Sequence, residues 1–304
     1  MKKIFAILLA AVAFAVAAQA DTNDYQRVED VIYGRKFGMA LTMDVFEPNH
    51  PNGRAIVSVV SGGWFSAHEA INAIFYQAFL KRGYTVFAVV HGSQPKFTIT
   101  EIVPDVNRAI RFIRFNAKKY GIDPDHIGIT GGSAGGHLSL TMGTQGGPGD
   151  PKAKDPIDRE SSAVQCVACF FPPTDFLNYG KAGEDGVGFG ILKGFKDAFG
   201  PRADDPESRK KLGHEISPIY FITSNMPPTL ILHGNKDNLV PIQQSETFVA
   251  KAHEAGATAK LVVKDGQGHG WWADLQSDLD MFADWFDLYL RGIKNNHPRL
   301  KDNP

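Results

Sequence analysis

Apolar positions along the chain fall into short runs of four to eight residues, separated by stretches in which they recur every three or four residues. Val28 to Tyr33 and Leu41 to Phe46 predict two opening strands, paired antiparallel. Ala55 to Val60, Thr85 to Val90 and His126 to Thr130 are apolar and β-branched, which suits strands buried on both faces. Further strands are expected over Val164 to Phe171, Thr229 to His233 and Lys260 to Lys264. Before the third of the buried runs, Ile102, Val106, Ala109, Ile110 and Ile113 recur at helical spacing, with Arg108, Arg111 and Arg114 falling largely elsewhere on the wheel. That helix should stop near Gly121, which can take the left-handed conformation that ends helices. Helices are also expected over Gln243 to Ala255 and Leu275 to Leu290. The alternation predicts an α/β fold: a mostly parallel central sheet with helices on both faces.

One stretch breaks the pattern. From Asn178 to Asn225 the alternation lapses, and Gly180, Gly183, Gly186, Gly188, Gly190 and Gly194 crowd its first part. An insertion of this length in a compact unit is usually functional or mobile, and it reads as a cap over a site. No repeat or interdomain linker is visible, so residues 21–304 are expected to form one domain.

Composition changes little in this picture. The chain has 304 residues, 43% of them hydrophobic, enough for a sizeable core, and its formal charge of -1 gives no global attraction to nucleic acid or anionic membrane. The N-terminus is different. Lys2 and Lys3, the apolar run Ile4 to Ala17 and the small residues of Ala18-Gln19-Ala20 have the layout of an export leader cleaved before Asp21. The run is shorter than the roughly 20 apolar residues that cross a bilayer, so a secreted or periplasmic protein without stable membrane insertion is expected. The two cysteines, Cys166 and Cys169, lie three apart on a predicted strand and point to opposite faces, so they are expected to be buried thiols rather than a disulfide.

Candidate chemistry concentrates at three loops. Gly131-Gly132-Ser133-Ala134-Gly135 follows a predicted strand and precedes the helical run His137 to Met142. A serine nucleophile on so sharp a strand-to-helix turn needs small neighbours, which Gly131 and Gly135 supply. A hydroxyl needs a base, and His269, in Gly268-His269-Gly270 beyond the last predicted strand, stands apart from the other histidines. The acid that would orient it is Asp237, just after the strand Thr229 to His233; Asp175 ranks second and Asp265 third. Ser61-Gly62-Gly63-Trp64 follows a central strand where oxyanion donors belong, which makes the amides of Gly63, Trp64 and Ala134 the candidates. Trp64 and, below it, Trp271 and Trp272 are candidate substrate platforms. The histidines show no metal-ligand spacing, and neither metal nor cofactor is expected.

These motifs resemble the α/β-hydrolase superfamily, and within it the carbohydrate-esterase-like group that contains bifunctional feruloyl and acetyl xylan esterases. The resemblance runs from about Ala40 to Leu290. It is carried by Ser-Gly-Gly-Trp, Ile122-Asp-Pro-Asp-His-Ile127, Gly-Gly-Ser-Ala-Gly-Gly, His-Gly-Asn-Lys-Asp with Val240-Pro241, and Gly-His-Gly. It implies Ser133 as nucleophile, Asp237 as acid, His269 as base, and a carboxylic ester as substrate, such as short acyl or feruloyl esters of polysaccharide. The chain departs from the pattern at three places: Ser61 stands where related esterases often have histidine, Trp64 replaces a common third glycine, and His91-Gly92-Ser93 stands where many carry aspartate and arginine. Two competing readings are a peptidase like the prolyl oligopeptidases and an inactive hydrolase fold that binds rather than cleaves. The first usually has a large gating domain ahead of the catalytic one, whereas a short segment precedes Ala40; the second is disfavoured by the intact serine, aspartate and histidine.

Overall fold

The computed structural model describes residues 24–294 and Leu300; the proposed leader lies outside them. Eight strands of the described residues form one sheet: β1 (Tyr25–Lys36), β2 (Met39–Pro48), β3 (Ala55–Val60), β4 (Thr85–Val90), β5 (Ile127–Gly132), β6 (Cys166–Phe170), β7 (Thr229–Gly234) and β8 (Ala259–Lys264). Their order is β1-β2-β4-β3-β5-β6-β7-β8. β1 pairs antiparallel with β2, and β2 with β4, while every pairing from β4 to β8 is parallel. The expected strands are all present, and β5 runs two residues further, to the edge of the Ser133 turn.

Among the described residues seven α-helices accompany them: α1 (Gln77–Leu80), α2 (Ile99–Phe115), α3 (Ala134–Gln145), α4 (Lys196–Phe199), α5 (Pro206–Ile216), α6 (Gln243–Glu254) and α7 (Leu275–Arg291). α2 begins at a capping box, in which the Thr98 side chain and Glu101 satisfy each other's backbone amides. It ends at Phe115, earlier than expected, and a further turn carries the chain to Gly121 at φ 60°.

The strand period of two divides the core into two layers. Ala55, Val57 and Val59 of β3, with Ile127 and Ile129 of β5, face α2, α3 and α6. Their neighbours Ile56 and Val60 face the other way, toward α1 and α7. Cys169 belongs to the first layer and Cys166 to the second; both are buried and free, as their spacing predicted. At Gly128, a Cβ would lie 2.7 Å from a ring carbon of Phe286, so the absence of a side chain lets α7 lie close on β5.

The Gly-rich insertion is less open than its composition suggests. From Gly190 onward it folds into short helical pieces that include α4 and α5, and Val187, Leu192, Phe199, Leu212 and Ile216 join the first core layer. Its anchor is a buried relay. The Trp64 indole donates to His137 Nδ1 at 3.1 Å, and His137 Nε2 donates to the carbonyl of Ile216 at 2.7 Å. Each ring nitrogen has one role, so His137 is the Nε2–H tautomer. No helix among the described residues is long and apolar enough to cross a membrane.

Burial lowers His137 to about 4, and burial likewise lowers His91 to about 4 despite the hydrogen bond its Nδ1 makes with Gly92 O. Both values lie below the roughly 6.5 of an unfolded histidine, so between them the unfolded chain binds protons that the folded one does not. Stability is therefore full above about pH 6.5 and falls as the pH drops toward 4, by up to about 3 kcal/mol per histidine. Calorimetric Tm values across that window should decline steadily on acidification; a flat profile would contradict the account.

Candidate active site

Parallel strands bring their carboxyl ends to one edge, and four loops meet there: those after β3, β5, β7 and β8. The turn from β5 to α3 is the tightest. Ser133 sits at φ 54° and ψ -119°, outside the ordinary regions for a side-chain-bearing residue. A Cβ on Gly131 would lie 2.5 Å from the backbone of Gly135, and one on Gly135 would lie 2.6 Å from Val59 O. Gly136 is equally constrained, with Phe170 O at 2.8 Å. These glycines are required for close approach, and the Ser133 amide is pinned by a 3.0 Å bond to Phe170 O.

His269 reaches back from the loop between β8 and α7. Its Nε2 is 3.0 Å from Ser133 Oγ, and its Nδ1 is 2.7 Å from Asp237 Oδ2. A carboxylate facing Nδ1 places the ring proton there and leaves Nε2 free to accept from the hydroxyl, the tautomer a general base requires. The ring packs against Phe171 at a centroid distance of 4.6 Å. Its loop is braced at both ends: Lys264 Nζ donates to Asp278 Oδ1 at 2.9 Å, and the Trp271 indole donates to Asp278 Oδ2 at 2.6 Å.

Asp237 is held as an anion. Burial opposes its charge, but hydrogen bonds from His233 and His269 and from the Val240 amide outweigh that cost and keep the carboxyl well below the usual range. Its Oδ1 accepts from the Leu239 and Val240 amides, both at 2.9 Å, while Oδ2 faces His269 and lies 3.4 Å from His233 Nε2. Asp175, the second-ranked acid, is spent elsewhere: Oδ1 takes the Tyr220 hydroxyl and the Leu177 amide, and Oδ2 takes the Asn178 side chain. Asp265 accepts from Asn235 at 2.7 Å on the surface.

After β3, Gly62 and Phe65 exchange backbone hydrogen bonds of 2.9 Å and close a two-residue turn over Gly63 and Trp64. Both central residues have positive φ, 56° and 61°; for Trp64 this costs about 1 kcal/mol. Among the described residues neither central amide has a hydrogen-bond acceptor, and Ala134, first in α3, has no intrahelical one. Three donors are thus uncommitted in the loops beside Ser133.

The side chain of Trp64 does not serve as a platform. It is 2% exposed, turned into the core against Phe176, Phe195 and Phe199, and bound to His137. The expectation of a stacking surface there is corrected: a positive φ at the turn sends the indole inward. Trp271 and Trp272 do line a cavity of about 350 Å³ that opens beside Ser133. Its other walls include Val60, Phe75, Tyr76, Phe170, Phe171 and Leu279, with the hydroxyls of Ser58 and Thr130 among them. No residue of the insertion lines this cavity; the insertion abuts the other flank, where Phe195 packs on Gly63. The insertion therefore backs the turn after β3 and does not roof the cavity.

Several contributors escape sequence reasoning. His233 and His137 are indistinguishable from other histidines until their partners are known, although a histidine in a buried strand such as β7 must find hydrogen-bond partners. Glu29, Asp44 and His68 have the spacing of metal ligands on and beside the antiparallel strands, but Asp44 Oδ2 already accepts from the Arg27 guanidinium at 2.8 Å.

The chain has relatives throughout this region. Esterase LipQ of Mycobacterium tuberculosis is 31% identical over 244 residues, 76% of this chain and 54% of that protein. An acetylxylan esterase of Xylanibacter ruminicola is 27% identical over 284 residues, 89% of this chain and 51% of that protein. The chain spans about half the length of these curated relatives. A solved structure described as a truncated form of a carbohydrate esterase from gut microbiota superimposes with a TM-score of 0.71 at 28% identity, covering 88% of this chain and 98% of that one. The profile of the BD-FAE family matches residues 43–252, more than half of the chain. With that match, and with the strand order and glycine-bound serine turn of the α/β-hydrolase fold, the chain belongs to the BD-FAE family.

Proposed function

We infer that the protein is a serine-type carboxylic ester hydrolase. The observation that carries this reading is the continuous hydrogen-bonded line from Ser133 Oγ through His269 to Asp237 at the edge of the sheet. Ser133 Oγ attacks the ester carbonyl carbon as His269 Nε2 takes its proton, and the oxygen that becomes negative is met by amides from Gly63, Trp64 and Ala134. The alcohol leaves with the proton from His269, giving an acyl-enzyme. Water, deprotonated by His269, then attacks the acyl carbon, and Ser133 recovers its proton as the acid departs. Asp237 stays ionised and stabilises the imidazolium at each step.

The cavity beside Ser133 fits an acyl group. It is apolar and aromatic, with a few hydroxyls, and its volume of about 350 Å³ accommodates more than an acetyl group. The names of the relatives, among them an acetylxylan esterase, support acylated polysaccharide as the source of such esters. On the same reading the leader is removed after Ala20 and the enzyme works in the periplasm or outside the cell; the support is the sequence pattern of residues 1–20.

Initial rates on p-nitrophenyl acetate, p-nitrophenyl butyrate and a feruloyl ester test the reading directly. Ser133→Ala should cost about 10⁴-fold or more in kcat at unchanged Tm, and Asp237→Asn a comparable factor. Asp175→Asn should lower Tm rather than kcat; the reverse ranking of the two aspartates would overturn the assignment. Leu279→Trp should depress butyryl and feruloyl turnover at least about tenfold more than acetyl turnover, and equal losses would remove the acyl group from this cavity. The exported protein should begin at Asp21 by N-terminal sequencing, and an unprocessed cytosolic chain would refute the leader.

A further inference from the structure

The turn after β3 places two uncommitted amides at positive φ, one of them on a tryptophan, and such a conformation persists only where its surroundings over-determine it. On the inner side the Trp64 indole is tied to His137. The outer side is held by the segment that follows β4, and there Gln94 makes two separate contacts. Its side-chain Nε2 donates to Gly63 O at 3.1 Å, and its backbone amide donates to Trp64 O at 3.1 Å. The same segment braces the turn's far end: Ser93 Oγ accepts from the Ser66 amide at 3.1 Å, and Ser66 Oγ accepts from the His91 amide at 3.2 Å.

We propose that Gln94 is a positioning residue of the oxyanion-binding turn: its side chain holds the Gly63 carbonyl and so fixes the Trp64 amide of the same peptide unit, while its backbone amide holds the next unit through the Trp64 carbonyl. The assignment rests on the reading of Ser133 as nucleophile. A trans peptide unit is planar, and its carbonyl and N–H point opposite ways. The Gly63 carbonyl shares a unit with the Trp64 amide, so a donor drawing that oxygen outward directs the Trp64 N–H away from Gln94. Donation to the carbonyl also polarises the unit and strengthens the N–H as a donor. Gln94 touches no reacting atom in this scheme, and its contribution appears only when charge develops on the substrate oxygen. The contact also gives a function to the departure noted after β4: the segment His91 to Gln94 holds the turn from outside through a side-chain amide.

Gln94→Met preserves side-chain length and apolar packing but removes the donor. It should lower kcat by about tenfold to a hundredfold at a KM within about twofold, less than the roughly 10²–10³ lost when an oxyanion donor itself is removed. The inhibition constant of a trifluoromethyl ketone ester analogue, which forms a charged adduct on the serine, should rise by the same factor, while that of the unreactive alcohol product stays put. A Gln94→Met enzyme with parental kcat and ketone affinity, or one in which KM alone rises, overturns the proposal whatever its Tm. If Gln94→Met does not fold, Gln94→Asn is the second variant: it keeps the amide but falls one methylene short, and it should show a smaller loss of the same kind. Failure of both variants to fold would make Gln94 a folding residue and overturn the proposal as well. Ser133→Ala, assayed in parallel, separates the two readings: full activity there sinks the nucleophile and the Gln94 assignment together, whereas a dead Ser133→Ala beside a parental Gln94→Met sinks only the latter.

Discussion

The site depends on one crowded backbone turn. At the junction of β5 and α3 the chain reverses so tightly that Ser133 takes a positive φ and Gly131, Gly135 and Gly136 have no room for a Cβ. A strained residue in mid-sheet would relax if it could. It is prevented by the parallel strands on either side, by the bond from the Ser133 amide to Phe170 O, and by the contact of Gly135 with Val59 O. The sheet edge thus presents a hydroxyl in one orientation, and the loops after β3, β7 and β8 are arranged around it.

The two flanks of that hydroxyl are built differently. Toward α7 lies an apolar cavity whose wall, Trp271, is also a brace for the histidine loop through Asp278. On the opposite flank the turn after β3 is gripped between the segment after β4 and α3, where its own Trp64 is anchored on His137. Through His137 and the Ile216 carbonyl, that anchor extends to the insertion, so the insertion supports this turn from behind. Its apolar residues are part of the first core layer, and rigidity is the property the geometry asks of it.

The fold was legible because its signals are local and repeated. β-branched runs such as Ala55 to Val60, interrupted only by Ser58, suit buried central strands, and the glycine-rich turn around Ser133 has few structural interpretations. His269 and Asp237 could be placed because each follows a strand whose end must lie at the same edge. What escaped was set by contacts between distant segments. Nothing in the sequence near Trp64 reveals that φ 61° sends its indole inward, or that a histidine 73 positions away receives its N–H. The same holds for the insertion. Its glycines suggest mobility, while the apolar residues between them, Val187 and Leu192, decide that it packs.

The central claim is that His269 activates one hydroxyl among all the serines of the chain. A fluorophosphonate of moderate reactivity, incubated with the folded protein and followed by intact-mass and peptide mapping, tests it most directly. The account predicts a single covalent adduct on Ser133 that disappears when His269 is replaced by alanine. An adduct on another serine, or labelling of Ser133 that is indifferent to His269, would contradict it.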